Sequence, residues 1–447
     1  MTDTAIAENT GPFTRDQVEI LSTRKVEPEW VREQRMGAYE VFAGSPFPTT
    51  REEEWRYTDI ARLLKLEALG LAEEAKPVES VGALPEGLRA IVQAAGGSSA
   101  RLVQVDGSVV YRELPEELSA QGVVLTGLDQ AVREHPELVR PYLGSAITGE
   151  AGKFAALNTS FWTGGTFLYV PRGVRVEIPV RSFRWITGAG TAVFGRTLIV
   201  AEPFAEISVV DELASDDLPS RTLSNGAAEI FAAEGARVSY VSLQRYGAGV
   251  LHLSTDRLVA QRDARITALY TTLGADVARA DSRCVLQAPG AHVDMLGLYL
   301  AEGEQHFDHE TLQDHVAPHA SSNLLFKGAL QDEGRSVFRG LIRVHPGAQR
   351  TDAYQTNRNL ILSSAARADS LPNLEIGADD VRCSHAATVG QLDQEEIFYL
   401  LSRGIPRLEA MRLVIFGFYG EVLQQLELPE VRQELTRAIE GKLYGRK

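Results

Sequence analysis

Cysteine is almost missing: Cys284 and Cys383 are the two thiols in 447 residues. Two thiols give no disulfide framework in a chain of this length, which fits a reducing compartment. Basic residues are outnumbered, 45 against 60 acidic ones, for a formal net charge of −15. That balance repels a phosphate backbone and argues against nucleic acid as a partner. Long apolar runs are also lacking. The stretch from Leu413 to Tyr419 is far shorter than a membrane span. The segment Met1-Thr2-Asp3-Thr4-Ala5-Ile6-Ala7-Glu8 has no basic region followed by an apolar core, so no secretory signal is expected. The expectation is a soluble, cytoplasmic protein with no membrane contact.

Nucleotide motifs are lacking as well. Gly149-Glu150-Ala151-Gly152-Lys153 has neither the four-residue gap of a phosphate loop nor the hydroxyl after lysine. Gly188-Ala189-Gly190 runs to Gly195 without dinucleotide spacing. No Gly-x-Ser-x-Gly elbow is present.

What is there has ordinary globular composition, 44% apolar and 23% charged, in a chain long enough for two or three domains. Residues 1 to about 12 read as frayed. From Thr14, the residues Val18, Leu21, Val26, Trp30, Val31, Met36 and Tyr39 recur at helical steps until Ser45-Pro46-Phe47-Pro48 stops them. A second helical patch is expected from Trp55 to Leu64. The cluster Gly96-Gly97-Ser98-Ser99 marks a loop, and Leu102 to Tyr111 reads as a hairpin around Asp106-Gly107. A helix is expected from Leu128 to His135. This mixed α/β unit ends near residue 150.

From about Thr166 to Val381 helical periodicity disappears and runs of Val, Ile and Leu alternate with Gly, Asp, Asn and Pro. Small residues before strands recur at Gly173-Val174, Phe204-Ala205, Gly235-Ala236, Asp263-Ala264, Gly290-Ala291, His319-Ala320, Gly347-Ala348 and Gly377-Ala378. Their second positions are 31, 31, 28, 27, 29, 28 and 30 residues apart. A period of this size without a helix predicts a solenoid of strands, whose corners suit small residues. A β-sandwich with chance spacing is the alternative; both are all-β.

The tail is helical. Asp393 is suited to N-cap a helix that Arg403-Gly404 ends before Pro406. A second helix is expected from about Leu408 to Leu426, apolar around its circumference, as in a helix buried on several sides or docked on a partner. Pro429 opens a last charged helix.

Two constellations carry chemistry. Cys383 and His385 stand two residues apart, so in a strand they share a face, and thiolate and imidazole both bind iron. Two ligands complete no site, which points to further ligands from another chain. The plainer reading is a buried cysteine beside a hydrogen-bonded histidine. Cys284 has no such neighbour and reads as core packing. The second constellation is His306, His309, His315 and His319 with interleaved acids. Its spacing fits no closed zinc motif, and hydrogen bonding across coils is the simpler role.

Val381 to Asp393, followed by Ile397 to Ile405, resembles the SufD branch of the SufB/SufD iron–sulfur assembly family. So do Asp308-His309 with Thr311, His315 and Pro318-His319, then Phe326-Lys327-Gly328, Gln349 to Ala353 with Gln355, Asn357 and Arg358, Pro372 to Ile376, and Glu54 to Asp59. The resemblance implies a mainly β fold: a right-handed parallel β-helix core over 151–390, an N-terminal α/β domain over 1–150 and a C-terminal helical domain over 391–447. It implies a non-catalytic scaffold that pairs with a SufB-like paralogue and a SufC-like ABC ATPase, with a homodimer in isolation. A transient iron–sulfur cluster would form at the paralogue interface, where the family places the residues matching Cys383 and His385. Arg403, Gly404 and Ile405 would contact a partner on the helical tail. A reduced flavin accompanies some such complexes. Ala386 departs from the glycine of many relatives, and the extra cysteines of the SufB branch are missing. The alternative function is a β-helix carbohydrate-active enzyme.

Overall fold

A computed structural model describes residues 11–96 and 100–444. The segment from Met1 to Glu8, most of the stretch expected to fray, and Gly97, Ser98 and Ser99 of the Gly-Gly-Ser-Ser loop lie outside those residues. The N-terminal third carries helices α1 (Arg15–Arg24), α2 (Glu29–Gly44), α3 (Ile60–Leu63), α4 (Glu86–Ala94), α5 (Glu116–Ala120), α6 (Leu128–Glu134), α7 (Pro136–Val139) and α8 (Lys153–Phe161). Among them run strands β1 (Gly70–Leu71), β2 (Ala100–Val105), β3 (Ser108–Glu113) and β4 (Val124–Gly127). Thr14 caps α1 through its hydroxyl, and Asp106 and Gly107, both at positive φ, turn the expected hairpin. The patch from Trp55 to Leu64 is less helical than its spacing predicts. It holds one 3-10 turn at Glu53–Trp55 and the single turn α3, because its aromatic residues dock outward on the sheet instead.

From residue 164 the chain winds into a parallel β-solenoid with a pair of strands per coil. The first four pairs are β5 (Gly164–Val170) and β6 (Val180–Ile186), β7 (Thr191–Ala201) and β8 (Glu206–Ser215), β9 (Thr222–Ala232) and β10 (Arg237–Arg245), β11 (Val250–Ala260) and β12 (Arg265–Thr272). The last four are β13 (Val277–Leu286) and β14 (His292–Ala301), β15 (His306–His315) and β16 (Ser321–Leu330), β17 (Arg335–Val344) and β18 (Asp352–Ile361), β19 (Arg367–Ile376) and β20 (Arg382–Gln391). Odd strands stack into one sheet and even strands into the other, all parallel within the solenoid. At the N-terminal end β4 pairs antiparallel with β5, while β2 joins β6 and carries β3 beyond it.

The repeat has a backbone cause. Gly173, Phe204, Gly235, Asp263, Gly290, His319 and Arg350 all turn a corner at φ between +54° and +78°. Each is followed by a residue tucked against the core, and Ala205, Ala236, Ala264, Ala291, Ala320 and Thr351 are buried there. Corner amides bond to the next coil, as in Phe204 N–H to Glu234 O at 2.9 Å. The sequence alignment was three residues early in its last two units. The seventh corner turns at Arg350-Thr351, not Gly347-Ala348, because that corner is longer; Ser321 pairs with Asp352, and Asp352 with Arg382.

Both outer faces of the solenoid are clothed. The odd-strand sheet packs Phe194, Leu198, Leu251 and Leu253 against Phe13, Phe42, Leu157 and Phe161 of the N-terminal region. The even-strand sheet packs Val241, Leu269, Leu296 and Leu325 against α10 (Arg407–Leu423) and α11 (Pro429–Tyr444). Burial on both sides explains near-continuous apolar strands such as β7. Between β20 and α10 lies α9 (Gln394–Ser402), capped by the Asp393 carboxylate, which accepts from the Glu395 and Glu396 amides.

Candidate functional site

Among the described residues, β19 and β20 close neither sheet: each is the last strand and pairs on one side only. Cys383 and His385 both lie on β20, two residues apart and on one face, as their spacing predicts. Register shows which face. Cys383 continues the column Ile207, Val238, Ile266, Val293, Ser322 and Ala353, and His385 continues Val209, Tyr240, Ala268, Met295, Leu324 and Gln355. Those columns line the solenoid interior. In the last coil the interior is an open mouth, so Cys383 is half-buried and His385 exposed.

Burial and then Asp352 push the Cys383 thiol up, against a bond from the Ala353 backbone. The thiol is therefore protonated near neutrality, and a metal must displace that proton to bind sulfur. No described residue hydrogen-bonds the exposed His385 ring. Around the mouth Leu374, Ile376 and Val389 are exposed apolar side chains, a rim suited to being covered.

The helical tail adds a second apolar surface. On α9 and the start of α10, Phe398 is 71% exposed, Tyr399 57% and Leu408 60%. The Arg403 guanidinium sits 5.1 Å from the centre of the Tyr399 ring, and Gly404 takes φ +82° to turn the chain into α10. Arg403, Gly404 and Ile405 thus form the elbow of this surface.

Strand alternation separates the four histidines. His306 and Asp308 face outward and meet Thr58, whose hydroxyl donates to Asp308 at 2.5 Å and lies 2.8 Å from His306 Nε2. Arg279 donates to Asp308 and Glu310, both at 2.6 Å, beneath the Trp55 ring. The Glu54–Asp59 segment is thus a clamp on β13 and β15. His309 and His315 face inward, bonded to Thr272 at 2.9 Å and Ser322 at 2.7 Å, and burial lowers both to about 4. His319 is a corner residue. Among the described residues no group of three His, Cys, Asp or Glu is placed to hold a metal.

Cys284 is sealed in the core, where burial pushes its thiol up to about 12. Lys153, after the glycine-flanked segment, is buried and donates to the Phe42 and Ser45 carbonyls. The role of Gln355, stacked beneath His385, escaped residue-by-residue reading. Counting from the positive-φ corner places both in one inward column.

A family model described as SUF system FeS cluster assembly, SufBD core domain, matches residues 183–418. A second, the SufBD protein N-terminal region, matches 15–181. The chain is 30% identical over 434 residues to iron-sulfur cluster assembly protein SufD of Bacillus subtilis, covering 96% of this chain and 98% of that one. It is 28% identical over 451 residues to SufB of the same organism, covering 99% and 96%. A SufBD family protein of Staphylococcus epidermidis is also 28% identical, over the same shares of the two chains. Two family models that together span nearly the whole chain, and relatives matched end to end, agree with the solenoid between two clothing regions: the chain belongs to the SufBD family of SUF iron–sulfur cluster assembly proteins.

Proposed function

We propose that this chain is a SufD-type, non-catalytic scaffold subunit working in the reducing cytoplasm. The observation that carries the reading is the placement of Cys383 and His385 on the inner face of a terminal strand that pairs on one side only. A strand edge of ten residues is a template for another chain. A SufB-like paralogue whose own solenoid ends the same way covers it. With only two cysteines here, most ligands of the nascent cluster come from that partner. Cys383 supplies one thiolate at the junction, and His385 acts as a ligand or takes up the proton the thiol loses. The apolar elbow of α9 and α10 receives a SufC-like ATPase. In this reading residues 1–150 clothe one sheet, 151–390 carry the site, and 391–447 carry the ATPase contact.

Co-purification from the native host tests the class, with a SufB-like chain and an ABC ATPase as the expected companions. His385→Ala tests the site. An exposed side chain without hydrogen bonds changes stability by less than about 0.5 kcal/mol, so the variant folds while maturation of cluster-dependent enzymes fails. Full maturation by that variant overturns the role.

A further inference from the structure

Strand alternation also orders the outer face of the even-strand sheet. Ile207, Val238, Ile266 and Val293 belong to the core, so their neighbours on either side point out. Glu206, Arg237, Arg265 and His292 form one outer column across β8, β10, β12 and β14, and Ser208, Ser239, Thr267 and Asp294 form the next. Beyond these columns Val210, Val241, Leu269 and Leu296 pass beneath α10 and α11. The helical layer stops short of the two polar columns. A cleft of about 310 Å³ lies over them, walled by Gln425 and Glu427 from the link between the two helices.

Charge in this cleft is unevenly paired. At one end Glu206 takes Arg175 at 3.0 Å. At the other, Asp294 meets His292 Nε2 at 2.9 Å, and His292 Nδ1 meets the Ser321 hydroxyl at 2.7 Å. Between them Arg237 and Arg265 are register partners on adjacent strands. Neither guanidinium has an ion pair or hydrogen bond among the described residues. Neighbouring strands lie about 4.8 Å apart, and like charges at that spacing repel. The hydroxyls of Ser208, Ser239 and Thr267 also lack partners among the described residues. Glu427 is exposed on the wall and pairs with neither arginine. Two guanidinium forks and three hydroxyls therefore stand on one floor without acceptors. An anion between the arginines removes the repulsion and accepts from both.

We propose that this cleft binds a small phosphate monoester, its phosphate held by Arg237 and Arg265 and its polar body by the hydroxyl column. A planar guanidinium fork matches phosphate oxygens two at a time. Clefts of about 300 Å³ hold small organic ligands, so there is room for a sugar or polyol beside the phosphate. No Phe, Tyr or Trp lines the cleft, which leaves no large aromatic face on which a base or other flat ring could stack. The net charge of −15 opposes distant attraction of any anion, so binding rests on these short contacts. The last strand of the cleft, β14, lies three strands before β20, and the site is separate from Cys383 and His385.

Calorimetric titration of the full chain tests it, with inorganic phosphate and glycerol 3-phosphate as the probes. Glycerol 3-phosphate should bind at one site and raise the melting temperature, as a ligand of the folded state does. Arg237→Gln and Arg265→Gln should each weaken it about tenfold or more, since bonds to a charged group are lost. Both side chains are exposed, so without ligand the variants should melt no lower than wild type. Glu427→Gln should tighten binding about threefold by removing a negative charge from the wall. Arg262→Gln removes the same charge from an exposed turn outside the cleft and should leave binding unchanged. Failure of both probes to bind, or wild-type affinity in both cleft arginine variants, overturns the site. An equal loss in Arg262→Gln shows diffuse attraction and overturns it as well. Inorganic phosphate binding as tightly as the ester overturns the monoester class.

Discussion

Thr58 donates its hydroxyl to Asp308 at 2.5 Å across 250 residues of sequence, and so ties the N-terminal segment to the solenoid. Burial pushes the Asp308 carboxyl up, but Arg279 and this hydroxyl outweigh it and hold the group below its ordinary value. Thr58→Val keeps the shape and removes the donor. The loss should be about 1–3 kcal/mol, since a buried carboxylate oxygen is left short of a partner. Urea denaturation measures it; an unchanged midpoint would show that the clamp contributes nothing.

Arg196 and Glu229 form a second, deeper tie. They meet at 2.7 Å, and Glu229 also accepts from the Gly144, Ala146 and Ile147 amides. Arg196 in turn reaches Asn158 and Thr159 on α8. Arg196→Met strands a buried carboxylate and should cost about 3–5 kcal/mol. The double variant with Glu229→Gln should recover part of that in thermal melts. No recovery would mean that the pair is not coupled.

Acid should weaken the fold through the inward histidines. His309 and His315 drop from 6.5 in the open chain to about 4 when buried. Between these values the unfolded chain binds the extra protons, so stability rises with pH through the window and is lost as pH falls from 6.5 toward 4. Each contributes a slope of up to about 1.4 kcal/mol per pH unit. His309→Gln should flatten the dependence, which denaturation at a series of pH values reads directly. Parallel curves for variant and wild type would refute the assignment.

The elbow surface predicts a variant that separates binding from folding. Phe398→Asp with Leu408→Asp places charge on two side chains that touch little of this chain. Melting temperature should hold, and co-purification of the ATPase should drop at least tenfold, a loss of about 1.4 kcal/mol in binding. Retained ATPase would move the contact elsewhere.

Much of this architecture is written in short-range signals. The Asp393 cap, the Gly404 stop and the Asp106-Gly107 turn are local chemistry, and each stands where its residues predict. The repeat was legible because the backbone needs one left-handed corner per coil. It slipped at the seventh corner because the connection between β17 and β18 is longer, which moves the left-handed position from Gly347 to Arg350. The Trp55 patch misled for the opposite reason: its aromatic spacing serves a distant sheet rather than a helix of its own. The Cys383–His385 pair was visible as a spacing. Its inward orientation was not, because that depends on which residue each strand takes as its neighbour.

The two ends of the solenoid differ. One carries the short antiparallel strands β3 and β4, while the other presents β19 and β20 bare. A stack bare at both ends would invite addition without limit, as in a fibril. Among the described residues only the β19–β20 end leaves full-length strand edges open, so strand-by-strand addition to this stack can run from one end alone.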